Sequence, residues 1–453
     1  MRTDARSIAR WGCRTFGPAR WLHRRRVTAY LRILFVLYSL AIGHSFYNSG
    51  VFSRDKAPTL YSDFISFYTA GTMARAGQAA EIYVPKQHFA AEKQIMAQPD
   101  AAYTAFFYPP VFALACLPLA YLSYAGAALA WLFAGLAVYL AGVLPIVDRR
   151  LGLLIAIAAP AAFLNALYGQ NAFFTVGLMS AGLLLIDRRP FLAGLLLGCL
   201  CYKPHFGLVL PLALLAGRRW SAITGATTAV LVLVGASWGM LGGEAWRNFF
   251  AVMTFARDAF QSGQVDFRQF ATVFASLRLL GIGIPAAYAV EILVTVIVLT
   301  AVLWIWARAR MAWTRNAALV TATMLVAPVF LEYDLLLAVL PVLWLIRAGT
   351  AAHSPIIDAQ IANPGYEGPS PRAETPMPTG FLPWERVSLT LVYLIPFVSS
   401  KLAKYTDLLL SPWLLLILMA LIVRRAVVEN RLLRDPAPDR MPDQPATRVG
   451  AVA

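Results

Sequence analysis

Once the arginines that cluster between apolar runs are set aside, few side chains in this sequence remain able to do acid–base or ionic chemistry. They are Asp63, Glu81, His88, Lys203, His205, Glu244, Asp258, Asp266, Arg268, Glu291, Glu332 and Asp334. They lie within or beside long apolar stretches, where an ionised group is expensive and must be explained by a partner, a water-filled cavity or a function.

Asp63 stands in Tyr61-Ser62-Asp63-Phe64-Ile65-Ser66-Phe67-Tyr68. Two readings compete for it. Ser62 or Asp63 before an apolar-periodic run is a helix N-cap signal, and a carboxylate in the same place is able to take a proton from a hydroxyl. Tyr168-Gly169-Gln170-Asn171 is a polar turn between two apolar helices, in which Gly supplies φ > 0 and the amides bond locally. Cys201-Tyr202-Lys203-Pro204-His205-Phe206 breaks an apolar run of about 26 residues. Broken helices persist at membrane depth only where protein or a wet cavity satisfies the freed backbone groups. A lysine there either meets an anion or snorkels to the headgroups. Glu332-Tyr333-Asp334 puts two carboxylates at a helix junction, open to a metal, to pairing with Lys203 or an arginine, or to a solvated turn.

The elements that must position these residues follow from composition. The 453-residue chain is 59% hydrophobic and 14% charged, with a mean hydropathy of +0.63. A soluble domain is about a quarter charged, and this apolar excess cannot fit in one core. The fold class is therefore all-α, a polytopic integral membrane protein. The net charge of +16, from 39 Lys+Arg against 23 Asp+Glu, sits in short clusters such as Arg149-Arg150, Arg188-Arg189 and Arg218-Arg219. That is the positive-inside pattern of cytoplasmic loops and not a nucleic-acid surface. Four cysteines form no disulfide framework or zinc spacing. The basic N-terminus leads into an apolar segment with no small-residue cleavage site, so that segment is expected to remain as a first helix starting in the cytoplasm.

About ten to thirteen crossings are expected from runs at Val27–Tyr47, Pro110–Val147, Leu151–Leu167, Ala172–Ile186, Phe191–Ala216, Ser221–Leu241, Pro285–Ala307, Ala317–Phe330, Leu335–Ile346, Pro383–Ser400 and Leu408–Val423. Pro110–Val147 has room for one helix plus a short partner, and Phe191–Ala216 reads as interrupted. The organisation expected is a basic cytoplasmic N-terminus (1–26), a catalytic membrane core (27–348) with a large first external loop (48–108), a Pro/Gly-rich cytoplasmic linker (349–382), C-terminal membrane helices (383–425) and a disordered tail (426–453). The external loop carries helical patterns around Asp63–Ala76 and Val84–Ala97.

The ordered set Asp63-Phe64…Tyr68…Ala70-Gly71, Tyr108-Pro109-Pro110 leading to Leu117-Pro118-Leu119-Ala120, Gly169-Gln170-Asn171, Ala193-Gly194…Gly198…Lys203-Pro204 and Arg218-Arg219-Trp220 resembles glycosyltransferase family 87. The likeness runs from about Tyr61 to Leu345. It implies a GT-C-like membrane enzyme that uses a polyprenyl-phosphate-linked sugar, typically mannose. Carried over, the family's first-loop aspartate falls on Asp63, its Gly-Gln turn on Gly169 and Gln170, and its membrane-edge lysine on Lys203. The later Ser-Pro…His motif of related mannosyltransferases is replaced here by Ala327-Pro328 and Glu332-Tyr333-Asp334, so no role of that histidine transfers.

The resemblance implies transfer of a hexose from the lipid-linked donor to a lipid or glycan acceptor at the outer face of the inner membrane. Asp63 is the expected catalytic base. Lys203, His205 and Arg268 are expected on the donor phosphate, and Tyr68, Tyr108, Gln170, Asn171, Glu332 and Asp334 are expected around the substrates, the tyrosines by stacking on sugar faces or as an interfacial belt. No Asp-x-Asp of nucleotide-sugar enzymes is present. No cofactor or metal is expected. The partners are the donor, the acceptor and membrane lipids, without nucleic acid. The rival class, a transporter or flippase for a lipid-linked sugar, calls for inverted repeats and a charged midplane site, and no clear internal repeat is visible.

Overall fold

In a computed structural model, residues 24–48, 63–96, 103–309, 311–350 and 381–434 are described. The expected linker and tail fall largely on 351–380 and 435–453, and Tyr61 and Ser62 also lie outside the described residues. The described residues are helical, with no strand and a single isolated bridge, Phe270 to Leu331.

The chain begins with α1 (Arg24–Asn48). The segment after α1 contributes α2 (Phe64–Arg75) and α3 (Pro85–Met96), within a residue of the expected helical patterns. The long apolar run after Pro109 divides into α4 (Pro110–Cys116), a 3₁₀ stretch Leu117–Tyr121 and α5 (Tyr124–Val143). The division follows from Pro118 and from Ser123, whose hydroxyl accepts from Gly126 N and caps α5.

The next run is α6 (Arg149–Ile157) and α7 (Pro160–Tyr168), bent by 53°. Pro160 drives the preceding residue out of the helical region, and Ala159 sits at φ −65°, ψ 128°. After α8 (Ala172–Leu185) the interrupted run forms α9 (Pro190–Gly198), two 3₁₀ turns, Cys199–Tyr202 and Pro204–Leu208, and α10 (Leu210–Ala216). Lys203, before Pro204, is the non-helical hinge at φ −116°, ψ 79°.

The chain continues through α11 (Trp220–Ser262), α12 (Val273–Leu279), α13 (Ile284–Arg308), α14 (Ala312–Val326), a 3₁₀ turn at Glu332–Ala338, α15 (Val339–Thr350), α16 (Pro383–Thr406) and α17 (Ser411–Arg434). Among the described residues six helices, α1, α5, α11, α13, α16 and α17, are long and apolar enough to span a membrane, or seven if the bent α6–α7 pair is one span. The remaining expected crossings are shorter helices, several of them interrupted at proline and α8 only 14 residues long, which is why the number of uninterrupted spans is below ten to thirteen. Segment α11 departs most from expectation. It runs past Leu241 to Ser262 and turns at Gly242, whose φ of 83° with ψ of 159° only glycine adopts without strain.

Small residues let the helices meet. A Cβ on Gly177 of α8 would lie 2.3 Å from the Val138 carbonyl oxygen of α5, and one on Gly194 of α9 would lie 2.0 Å from that of Ala222 in α11. Without a hydrophobic force between helices in lipid, such close backbone contact is a main source of their association. The bundle has two distinct ends. At one, Asp187 bridges Arg219 and Arg315 at 2.6 Å each, and Glu385 bridges Arg424 and Arg425. At the other lie Asp63, the 168–171 turn and the Lys203 hinge.

Gly177→Ala and Gly194→Ala are each expected to lower thermal stability in detergent by about 1–3 kcal/mol through overpacking. Gly43→Ala in α1 meets nothing within 4 Å and is expected to leave stability unchanged or slightly raised. Melting curves of the purified variants measure the contrast; equal melting temperatures would remove the glycine contacts from the account of packing.

Candidate active site

Asp63 occupies the N-cap position of α2 but makes no side-chain capping bond to it. Its carboxylate turns to the bundle, where Oδ2 accepts from Gln170 Nε2 at 2.7 Å. Gln170 is aimed there by a rigid turn. Gly169 ends α7 at φ 68°, a left-handed position that favours glycine. Its carbonyl accepts from Trp131 Nε1 at 3.1 Å, Gln170 N donates to the Asn165 carbonyl at 3.0 Å, and Asn165 Oδ1 accepts from Ala172 N at 2.8 Å. Gln170 and Asn171 are both buried, and Gln170 Oε1 has no hydrogen-bond partner.

Lys203 and Asp334 form a buried ion pair, Nζ to Oδ1, with side-chain exposures of 2% and 6%. The contact joins the α9–α10 hinge to the 3₁₀ turn after α14, across 131 positions of sequence. This selects one of the alternatives open for Asp334 and excludes snorkelling for Lys203. Burying a cation in lipid demands such a partner. Tyr333 places its ring 6.0 Å from Lys203 Nζ.

Tyr108 completes the contact between the two halves. Its hydroxyl approaches Asn171 and Tyr333, and burial followed by the nearby Asp334 charge pushes the phenol well above its usual range. It therefore remains protonated and available as a donor. Beneath it, Phe112 lies 4.5 Å from the Tyr108 ring and stacks at 5.1 Å on Tyr202, whose hydroxyl is 2.7 Å from Thr175 Oγ1. Phe67 packs edge-on against Phe106, Tyr108 and Phe112. An aromatic floor thus holds α2, α4 and α5 in register.

Asp63, Tyr108, Gln170, Asn171, Lys203 and Asp334 are gathered at one end of the bundle. Tyr168 lies near enough to both Asp63 and Glu332 to feel their charges, so Glu332 flanks the same region. His205 stands two residues beyond Lys203, its ring edge-on to Phe206 at 4.7 Å. Tyr68 is differently employed, for its hydroxyl donates to the Leu122 carbonyl at 2.8 Å and steadies the segment before α5. Arg268 is held by Asp407 at 3.2 Å and lies 3.6 Å from Asp266, which anchors the 266–270 segment to the end of α16.

Sequence reasoning passed over Tyr202, Tyr333 and Trp131 as site residues. The first two were inside the motifs singled out, flanking a lysine and an aspartate. Trp131, in the middle of α5, carried no such signal. An apolar cleft of about 520 Å³ opens beside the hinge, with Leu197, Leu214, Val230, Trp246 and Phe249 on its walls and Lys203 and Pro109 among its lining.

The helices and this buried, mixed-charge site define a multi-pass membrane protein with a hydroxyl- and amide-rich pocket beside an apolar cleft. The sequence profile of glycosyltransferase family 87 matches residues 106–328, and over that stretch the chain belongs to this family and is a membrane glycosyltransferase. Tyr108, Gln170, Asn171, Lys203, His205 and Arg268 fall within the matched segment, whereas Asp63, Glu332 and Asp334 fall outside it. No curated protein and no solved structure matches the chain.

Removing one partner of a buried ion pair strands the other charge, at about 3–5 kcal/mol, while replacing both by apolar groups is often close to neutral. Lys203→Met and Asp334→Leu alone are therefore expected to lower the melting temperature strongly, and the double variant to recover most of the loss. A double variant no more stable than the worse single one would show that the two residues do not stabilise the fold as a pair.

Proposed function

We propose that this glycosyltransferase moves a hexose, mannose in the first instance, from a polyprenyl-phosphate-linked donor to an acceptor hydroxyl at the outer face of the inner membrane, with Asp63 as the base. The observation that carries the reading is the Asp63 carboxylate, which makes no capping bond to its own helix and is held by Gln170 at 2.7 Å. In the transfer the acceptor oxygen bonds to the sugar's anomeric carbon and the carbon–oxygen bond to the donor phosphate breaks. The electron pair leaves with the polyprenyl phosphate, and the hydroxyl proton passes to Asp63. General-base assistance of this kind contributes roughly 10²–10⁴-fold in rate.

Two further features support a lipid-linked donor. The apolar cleft of about 520 Å³ includes Lys203 and Cys201 in its lining, so a hydrocarbon chain lying in it would bring an attached phosphate to the hinge that bears Lys203 and His205. The protonated Tyr108 and the buried Gln170 and Asn171 amides offer neutral hydrogen-bonding groups for sugar hydroxyls. Glu332 and Asp334 close the other side, Asp334 by fixing Lys203. Arg268 takes no part in this assignment, because Asp266 and Asp407 hold it.

Asp63→Asn keeps an oxygen able to accept from Gln170 and remains as good an N-cap, yet it cannot take up the proton. Transfer from a radiolabelled polyprenyl-phosphate sugar is expected to fall by at least about a hundredfold, with the melting temperature unchanged. Near wild-type turnover in the folded variant would return Asp63 to a structural role.

The same reading requires the Asp63 end to face outward. In a background without the native cysteines, a membrane-impermeant thiol reagent applied to intact cells is expected to label a cysteine at the exposed Gln87 and to miss one at the exposed Arg188. The reverse pattern would place the site in the cytoplasm and remove the argument for an outward-facing reaction.

A further inference from the structure

At the Arg-rich end of the bundle, away from the site, a second apolar cleft of about 440 Å³ separates α1 from α16, with α6 and α15 behind it. Its shape follows from how the two outer helices are joined. Towards the Asp63 end, Tyr38 of α1 stacks on Phe163 at 4.7 Å and lies 6.4 Å from Phe397 of α16, which closes the gap. Towards the Arg-rich end no such contact fills it, and Ile33, Leu34, Ile155, Val342 and Leu389 form its walls.

One charged side chain, Arg386, lines this cleft. The other polar lining groups on α16 are engaged, as Tyr393 donates to the Ile155 carbonyl at 2.8 Å and Thr390 to that of Arg386 at 2.8 Å. The neighbouring carboxylate, Glu385, is taken by Arg424 at 2.7 Å and Arg425 at 3.1 Å. Among the described residues no acceptor lies within hydrogen-bond distance of the Arg386 guanidinium. Glu385 is thus committed to Arg424 and Arg425, and the Arg386 guanidinium is the one charge on the cleft wall.

We propose that the cleft is a binding site for one anionic phospholipid of the leaflet facing the Arg-rich end. An acyl chain lies between α1 and α16, and the phosphate is held by Arg386. The apolar walls accept the chain, since an empty apolar gap forfeits the dispersion contacts that a hydrocarbon restores. A guanidinium binds a phosphate through paired, charge-assisted hydrogen bonds. The Arg386 charge on an otherwise apolar wall selects an anionic headgroup over a zwitterionic one. The site is independent of the sugar-transfer reading, because none of its residues belongs to the candidate active site.

The test is native mass spectrometry of the full chain released from bilayers of equal parts phosphatidylglycerol and phosphatidylcholine. Wild type is expected to retain one phosphatidylglycerol in preference to phosphatidylcholine. Arg386→Gln is expected to lower that retention about fivefold, the effect of one cation at an anionic membrane surface, and Arg386→Lys to keep part of it. Ile33→Trp, at a position more than half exposed, fills the cleft from outside and is expected to reduce retention of both lipids. Melting curves confirm that each variant is folded. Equal retention of the two lipids by wild type, or unchanged phosphatidylglycerol retention in either the Arg386→Gln or the Ile33→Trp variant, overturns the proposal.

Discussion

The buried pairing of Lys203 with Asp334 constrains the rest of the structure. A lysine 2% exposed among apolar helices has nowhere to place its charge except on a carboxylate, and that carboxylate must come from another segment. The pair therefore fixes the α9–α10 hinge against the turn after α14, and through Tyr333 and Tyr108 it sets where the segment before α4 docks. Its partners are also committed by their own backbones. Pro204 prevents a continuous helix at Lys203, and the 3₁₀ turn at Glu332–Ala338 brings Asp334 to the bundle end. Polar chemistry here is a consequence of broken helices, since each break places side chains where an unbroken span would place only backbone hydrogen bonds.

Those breaks are tolerated because the surrounding helices pack closely. Gly177 against Val138 and Gly194 against Ala222 leave no room for even a methyl group, so α5, α8, α9 and α11 meet backbone to backbone. Stable association at these small-residue contacts lets α7, α9 and α10 be short. The aromatic floor of Phe67, Phe106, Phe112 and Tyr202 does the corresponding work at the site end, where the segment around Tyr108 lies between α2 and the bundle.

Much of this was legible in the sequence, and the failures have physical reasons. Apolar run length located most of the helices, Pro110 marked the start of one and Lys203-Pro204 the interruption of another, whereas the break before Pro160 that divides Leu151–Leu167 into α6 and α7 went unread. The extension of α11 beyond Leu241 was not legible because Glu244 and Arg247 look like the end of a span. In the structure they form an exposed pair at 2.8 Å on a helix that has turned at Gly242. Asp63 was recognised as the start of a helix, but whether its side chain caps that helix depends on Gln170, 107 positions away. Arg268 illustrates the same limit, for its partner Asp407 lies 139 positions off. Local pattern locates a charge, whereas its role depends on which distant segment the fold brings to it.

The two carboxylates gathered at the site are held in chemically different ways, and the difference bears on what each is able to do. Asp334 is committed to a cation, the Lys203 ammonium. Asp63 accepts from the neutral Gln170 amide, which orients the carboxylate. A base needs orientation without loss of basicity, and an amide provides that where a lysine would not. Had Lys203 paired with Asp63, Asp334 would have been left as a buried carboxylate without a cation, and the proposed base would have been weakened by the same contact. Directing the lysine to Asp334 and the glutamine to Asp63 satisfies the membrane's demand for charge pairing and gives the proposed base an orienting donor with one arrangement of four side chains.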